Sequence, residues 1–338
     1  MSTYSGLRSP WLTGAARWLF GATLVVVLIR STDLNVRSWT EPATLLGLGN
    51  AVVLLLAAIG LSAFRWKLVL GPGSPGLVYL IRVYLIGWFF SLFLPTSVGG
   101  DAVRAAALAH SRLSAGVALS SIIIERLAGM FALVTYLGLG VLIAPDIIAG
   151  LLSLSSVEMP PGLVLAGALA SIIVGAVAVV AFRERLRRIR VLRDAFALLG
   201  SFSRTPARMA GAFVVSMLIQ ALYILVWMEL ARAFGIAVPW LAFLIYVPFI
   251  SLAAMLPVTL GGLGVREGSW TLLLSAHGIA GGDAVAFSLA YYFAGLLIGL
   301  IGAAIFVWSG MAVAIPQPQP AEQSSRPGTR TAVQAVEP

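Results

Sequence analysis

Leu94-Pro95-Thr96-Ser97-Val98-Gly99-Gly100-Asp101-Ala102-Val103-Arg104 aligns without a gap to Leu256-Pro257-Val258-Thr259-Leu260-Gly261-Gly262-Leu263-Gly264-Val265-Arg266. Six of the eleven positions are identical, and Ser97/Thr259 and Val98/Leu260 are close. The identities include Pro and Arg, which are scarce inside membranes, so biased composition explains the match poorly. Each copy ends an apolar run, 77–94 and 240–256, and precedes a short helical piece, about 101–111 and 265–278. Neither piece can cross a hydrocarbon core of ~30 Å alone. Pro95 and Pro257 are therefore read as hinges that end an incoming helix, with the glycine pairs letting the chain reverse.

The rest of the chain says what these breaks are embedded in. Of 338 residues, 60% are hydrophobic and only 10% are charged. A soluble domain carries about 25% charged residues. So few charges cannot clothe so large an apolar content in water, which excludes a soluble enzyme, a disordered chain and a nucleic-acid module. Continuous apolar runs also exclude a porin-like barrel, whose strands alternate. The expected class is an all-α polytopic membrane protein.

Six segments are long and apolar enough to span: roughly 11–29, 43–64, 115–143, 162–182, 209–234 and 283–310. The first follows Arg8 and Arg17 as a signal peptide would, but Arg30-Ser31-Thr32-Asp33 offers no cleavage site, so it reads as a retained anchor. The net charge of +9 is topology information. Eight of the 22 basic residues lie in 183–208, which places that loop in the cytoplasm. The 144–161 loop carries Asp146 and Glu158 without a base and faces out. Arg65, Lys67 and Arg112 lie inside, and Arg82 belongs at the cytoplasmic boundary.

By this walk 77–112 begins and ends on the cytoplasmic side, and 240–280 begins and ends outside. The expectation is six full spans plus two re-entrant or broken helix pairs, related as an inverted repeat with halves of about 43–143 and 209–310. Both termini would be cytoplasmic, with an integral membrane domain over 1–312 and a Pro/Gln/Ser-rich disordered tail over 313–338. The competing readings are eight simple spans, and two Gly-rich turns at the membrane surface. Trp39, Trp66, Trp240 and Trp308 fit an aromatic belt.

Paired breaks in corresponding positions point to a transporter's midplane site, because irregular backbone survives at that depth only around a polar cavity. Gly99, Gly100, Asp101 and Arg104 from one break, and Gly261, Gly262, Gly264, Arg266 and Glu267 from the other, then present two helix amino ends and two arginines. That combination suits an anion, and the guanidinium fork suits phosphate. In a membrane the obvious anion is a lipid phosphate. The bland alternative pairs Asp101 with Arg104 and Arg266 with Glu267. Glu125 and Arg126 form a third polar spot, ~16 Å deep if their helix starts near Ser114. Such residues read as functional by default. Glu125 could pair with Arg104 or Arg266, carry a proton, or serve a structural pair.

Cysteine is absent, and His110 and His277 are the only histidines. No metal site or cofactor is expected. The Arg183–Arg193 segment reads as a basic interfacial helix drawn to anionic inner-leaflet lipids, or as plain topology signal. Gly295-x-x-x-Gly299 allows close helix packing or homo-oligomerisation.

Three ordered motifs carry a family resemblance: Leu94 through Arg104, Ile124-Glu125-Arg126-Leu127-Ala128-Gly129, and Pro257 through Glu267. Together, over about residues 11–312, they resemble the lysylphosphatidylglycerol synthase transmembrane (flippase) family. The resemblance implies a polytopic protein of the bacterial cytoplasmic membrane with lipid-translocation activity. In the family's best understood member a cytoplasmic aminoacyl-transfer domain follows the membrane part. No such domain follows here, so synthesis of aminoacyl-lipid is not expected of these residues.

The leading expectation is a flippase or scramblase for an anionic phospholipid, aminoacyl-lipid or polyprenyl-phosphate-type lipid, not an enzyme. Its partners would be the lipid and, in the cell, a separate lipid-modifying enzyme; nucleic acid is not among them. No G-x-x-x-x-G-K-[ST] occurs, so ATP is not the direct driver. The alternatives are an accessory protein of envelope or lipid biosynthesis, and a lipid-linked transferase, which the absence of Asp-x-Asp and His-Glu-x-x-His disfavours.

Overall fold

The computed structural model describes residues 39–93, 99–109, 113–153, 198, 200, 202, 204–255 and 264–309. The expected spans at 11–29 and 162–182, the Arg183–Arg193 segment, Pro95, Pro257, Gly261, Gly262 and the 313–338 tail lie outside these residues.

Nine α-helices make up the described chain: α1 Pro42–Leu70, α2 Leu77–Phe93, α3 Gly99–Ala109, α4 Ala115–Ile143, α5 Pro145–Ser153, α6 Pro206–Ala233, α7 Trp240–Ala254, α8 Val265–Ser275 and α9 Gly281–Ser309. Four of them, α1, α4, α6 and α9, are long and apolar enough to cross a membrane. Proline opens α1 and α6, where its missing N–H costs nothing. Ser114 caps α4, accepting from the Val117 N–H at 3.2 Å. α1 stops at Gly71, whose φ of +82° suits glycine. The guanidinium of Arg208 packs on that glycine and donates to the Leu68 and Val69 carbonyls, satisfying the end of α1 with a cation. The short helix α5 stands in the 144–161 loop, where the sequence signalled only a connection.

The order of lengths repeats. α1 to α4 have 29, 17, 11 and 29 residues; α6 to α9 have 28, 15, 11 and 29. The packing repeats with it. α1 packs on α2 as α6 packs on α7, α3 on α4 as α8 on α9, and α2 on α9 as α7 on α4. The most extensive contact joins the two leading helices, α1 and α6. They run antiparallel: Thr44 Oγ1 donates to the Ala233 carbonyl at 3.2 Å at one end, and Arg208 Nε to the Leu68 carbonyl at 3.0 Å at the other.

Small residues let the backbones approach. A Cβ on Gly302 would fall 2.1 Å from the Leu85 carbonyl oxygen, and one on Gly299 would fall 2.4 Å from Leu92. Trp88 Nε1 donates to the Gly295 carbonyl at 2.9 Å. The Gly295-x-x-x-Gly299 motif is thus used inside the chain, between α2 and α9, where its small face lets α2 sit close. The main core is aromatic at its centre: Trp227 stacks on Tyr291 at 4.5 Å, with Trp270 and Phe287 against it. Trp240 and Trp308 are exposed near helix ends, as an aromatic belt requires. Trp66 is not part of that belt. It is fully buried and donates to Ser121 Oγ at 2.8 Å, because its face of α1 packs on α4.

Candidate functional site

The two broken pairs leave a cavity of about 420 Å³ between α1, α2, α4, α6, α7, α8 and α9. Its polar wall is Arg65, Tyr84, Glu125, Arg126, Gln220, Ser251 and Arg266; Trp227 and Tyr291 supply an aromatic side. Ile250 to Met255, at the end of α7, and Arg266, in the first turn of α8, border it together. The end of α7 and the start of α8 therefore both face the cavity. Gly264, at φ +82°, turns the chain into α8.

The first break is arranged differently. Glu125 is buried (2% exposed) and is held from three sides. Arg65 donates to its Oε1 at 3.2 Å, Arg104 donates to Oε2, and Tyr84 Oη also donates to Oε1. Arg104 in addition donates to Asp101 at 3.2 Å and lies 4.3 Å above Trp66 and 3.7 Å above Tyr84. Both contacts are of cation–π type in a desolvated setting. Asp101 is shared with Arg126, whose Nε donates to it at 2.6 Å. Arg65 also donates to Ser216 Oγ at 3.0 Å, while its buried Nε meets no acceptor among the described residues.

The chain brings most of the sequence-selected residues together, with changed roles. Glu125, Arg126 and Arg266 face the cavity. Arg104 does not line it, because two carboxylates and two rings enclose its guanidinium. Gly99 and Gly100 are buried in the start of α3, and Gly100 lies against Gly87 of α2 closely enough that any Cβ would clash. Asp101 follows in the first turn of α3 and bridges Arg104 and Arg126. Glu267 is fully buried and accepts from the Gly264 N–H and from Ser288 Oγ, which makes it the cap of α8. Arg266 lies 4.9 Å over the Tyr291 ring. Arg65 was read from sequence as a marker of the inner end of a span; it is in fact 8% exposed and a central member of the site. Its helix runs on to Leu70, so Arg65 stands a full turn inside α1. Tyr84, Gln220, Tyr223, Trp227 and Tyr291 carried no motif and emerge only from packing.

His277 stands apart. Tyr246 Oη and its Nε2 are 2.8 Å apart at the turn after α8. Among the described residues no group of three His, Asp or Glu side chains is placed to hold a metal.

No curated protein matches the chain. The model of the lysylphosphatidylglycerol synthase TM region matches residues 11–303, across both breaks and the Glu125-Arg126 helix. With most of the sequence inside that match, the chain belongs to the lysylphosphatidylglycerol synthase transmembrane family.

Proposed function

We propose that this protein translocates a phosphate-bearing lipid between the leaflets of a bacterial cytoplasmic membrane, without altering it chemically. The carrying observation is the cavity itself. It lies well inside the bundle, and guanidinium groups from both halves of the chain line it: Arg65 and Arg126 from the first, Arg266 from the second. Glu125 lies ten residues into α4, about 15 Å from its start at ~1.5 Å per residue, which is near the midplane. Intramembrane charge at that depth is costly and is kept where a polar substrate passes. The match to a membrane-lipid family supports a lipid rather than a soluble anion.

In this reading the two halves are oppositely oriented. The antiparallel course of α1 and α6, each the first long helix of its half, supports that inversion. The charge distribution supports the same orientation. Lys67, Arg82, Arg204 and Arg208 cluster at the face where α1 ends and α2 and α6 begin, whereas Glu41, Asp146, Glu229 and Asp283 occupy the opposite helix ends. The basic face is cytoplasmic by the positive-inside rule. Six full spans with both termini on that side complete the topology. The lipid headgroup enters the cavity while its tails stay in the bilayer. Rocking of one half against the other exposes the cavity to each leaflet in turn.

Reconstitution in proteoliposomes tests this, with fluorescent anionic and zwitterionic lipids and the variant Arg126→Ala plus Arg266→Ala. Leaflet exchange by the wild type, slowed about tenfold or more in the variant, is expected. Equal rates in both proteins would remove the cavity from the mechanism. No movement across a panel that includes aminoacyl-lipids and polyprenyl phosphates would give the accessory reading precedence.

A further inference from the structure

A groove of about 540 Å³ lies on the flank of the bundle where α2 meets α9, lined by Arg82 of α2 and by Ile301, Ala304, Ile305, Trp308 and Ser309 of α9. It shares no lining residue with the central cavity. The spacing 301, 304, 305, 308 sets the α9 side chains on one face. Polarity is graded along that face. Ile301, Ala304 and Ile305 are its apolar length, and Trp308 (93% exposed) and Ser309 stand at its end, in the last turn of α9. Arg82 stands five residues into α2, about 7.5 Å from its start at ~1.5 Å per residue. It is exposed, and it makes no hydrogen bond or ion pair with another described residue. No acidic residue lines the groove among the described residues.

The other half of the chain provides an internal comparison, because α7 packs on α4 as α2 packs on α9. The ungapped alignment of the two breaks sets Leu244 opposite Arg82. Matching α4 to α9 from their first residues sets Leu139, Leu142 and Ile143 opposite Ile305, Trp308 and Ser309. All four counterparts are apolar. The cation, the indole and the hydroxyl thus occur together only at the basic face of the protein.

We propose that this groove seats one anionic phospholipid of the cytoplasmic leaflet, which bridges the two halves of the chain at their α2–α9 seam. The phosphate binds at Arg82, whose guanidinium fork matches two phosphate oxygens. Trp308 lies at headgroup level, where an amphipathic indole is favoured, and the Ser309 hydroxyl adds a donor there. One acyl chain runs along Ile305 and Ile301 toward the bilayer centre. A soluble anion has no use for that apolar length, whereas a phospholipid presents its charge and its chain in the same order as the groove. The Arg82 charge, with no carboxylate beside it in the lining, selects a net anionic headgroup over a zwitterionic one. The inference rests on the orientation proposed above, and not on transport through the cavity.

Native mass spectrometry of the detergent-solubilised protein, titrated with dioleoyl phosphatidylglycerol and dioleoyl phosphatidylcholine, tests it. The wild type should bind phosphatidylglycerol about tenfold more tightly than phosphatidylcholine, and Arg82→Gln should lose that preference. Brominated phosphatidylglycerol should quench the Trp308 emission, read as the difference between wild type and Trp308→Phe, and this quenching should weaken equally in Arg82→Gln. Unfolding of Arg82→Gln without added lipid should match the wild type, since Arg82 bonds no described residue. Equal affinity for the two lipids in the wild type overturns the proposal, as does an unchanged preference in Arg82→Gln. Loss of the preference in Arg126→Ala plus Arg266→Ala instead would place the lipid in the central cavity and overturn it as well. Dissociation of a dimer by Trp308→Ala would show a second copy of the chain on this face, with the same consequence. Binding in detergent is independent of orientation, which labelling of Ser74→Cys reports separately: reaction from outside would overturn the leaflet assignment.

Discussion

Glu125 and Tyr291 occupy the same position in the two halves of the chain: each lies ten residues from the first residue of its long helix, α4 or α9, and each meets the arginine of its own half. Glu125 binds Arg104 as an ion pair, whereas Tyr291 carries Arg266 on the face of its ring. Two differences, Glu125 against Tyr291 and Asp101 against Leu263, thus separate an arginine clamped by carboxylates from one that lines the cavity. The two halves share their order of helices, and the difference between them leaves Arg266 at the cavity while Arg104 is enclosed.

Glu125→Gln should destabilise the protein strongly. Arg65 and Arg104 would keep their burial and lose their shared carboxylate, and breaking a buried pair from one side costs about 3–5 kcal/mol. Thermal unfolding in detergent measures it. A melting temperature equal to the wild type's would show that Glu125 does not hold the first break together.

Arg104→Ala and Arg266→Ala should separate stability from transport. The first removes an enclosed cation bonded to Asp101 and Glu125, so unfolding should shift most. The second removes a group that lines the cavity, so leaflet exchange should fall about tenfold with a smaller shift in unfolding. The reverse pattern would exchange the roles assigned here.

Gly302→Ala should loosen the α2–α9 contact, because its Cβ would meet Leu85 backbone at 2.1 Å. A cost of about 1–3 kcal/mol is expected from such overpacking. Gly138→Ala is the control, since nothing lies within 4 Å of its Cβ. Equal melting of the two variants would contradict the packing.

Cysteine labelling addresses orientation directly, in a chain that contains no native cysteine. Ser74→Cys, between α1 and α2, should react with a membrane-impermeant maleimide only from the cytoplasmic side. Ser275→Cys, at the end of α8, should react only from outside. Labelling of both from one side would refute the inverted arrangement.

Much of the fold was legible in the sequence. Apolar runs bounded by Pro, Gly and charge fix where helices begin and end, since an apolar helix needs no information beyond its own residues to satisfy its backbone in a membrane. The span read as 115–143 coincides with α4, and the breaks read before Arg104 and Arg266 separate α2 from α3 and α7 from α8. The repeat of motif and helix order was visible for the same local reason. Tertiary structure decided which charges meet. Arg65 and Glu125 are 60 positions apart, and Arg65 and Ser216 are 151 apart. Helical periodicity gives each residue a face but does not say which helix that face will meet. The closeness of α1, α4 and α6 is set by small residues and interlocking side chains, which draw Arg65 inward from the span end where its charge alone would place it. The sequence by itself therefore determined a helical membrane protein with two matched breaks. Only the packing of those helices decided that Arg104 locks one break while Arg266 faces the cavity from the other.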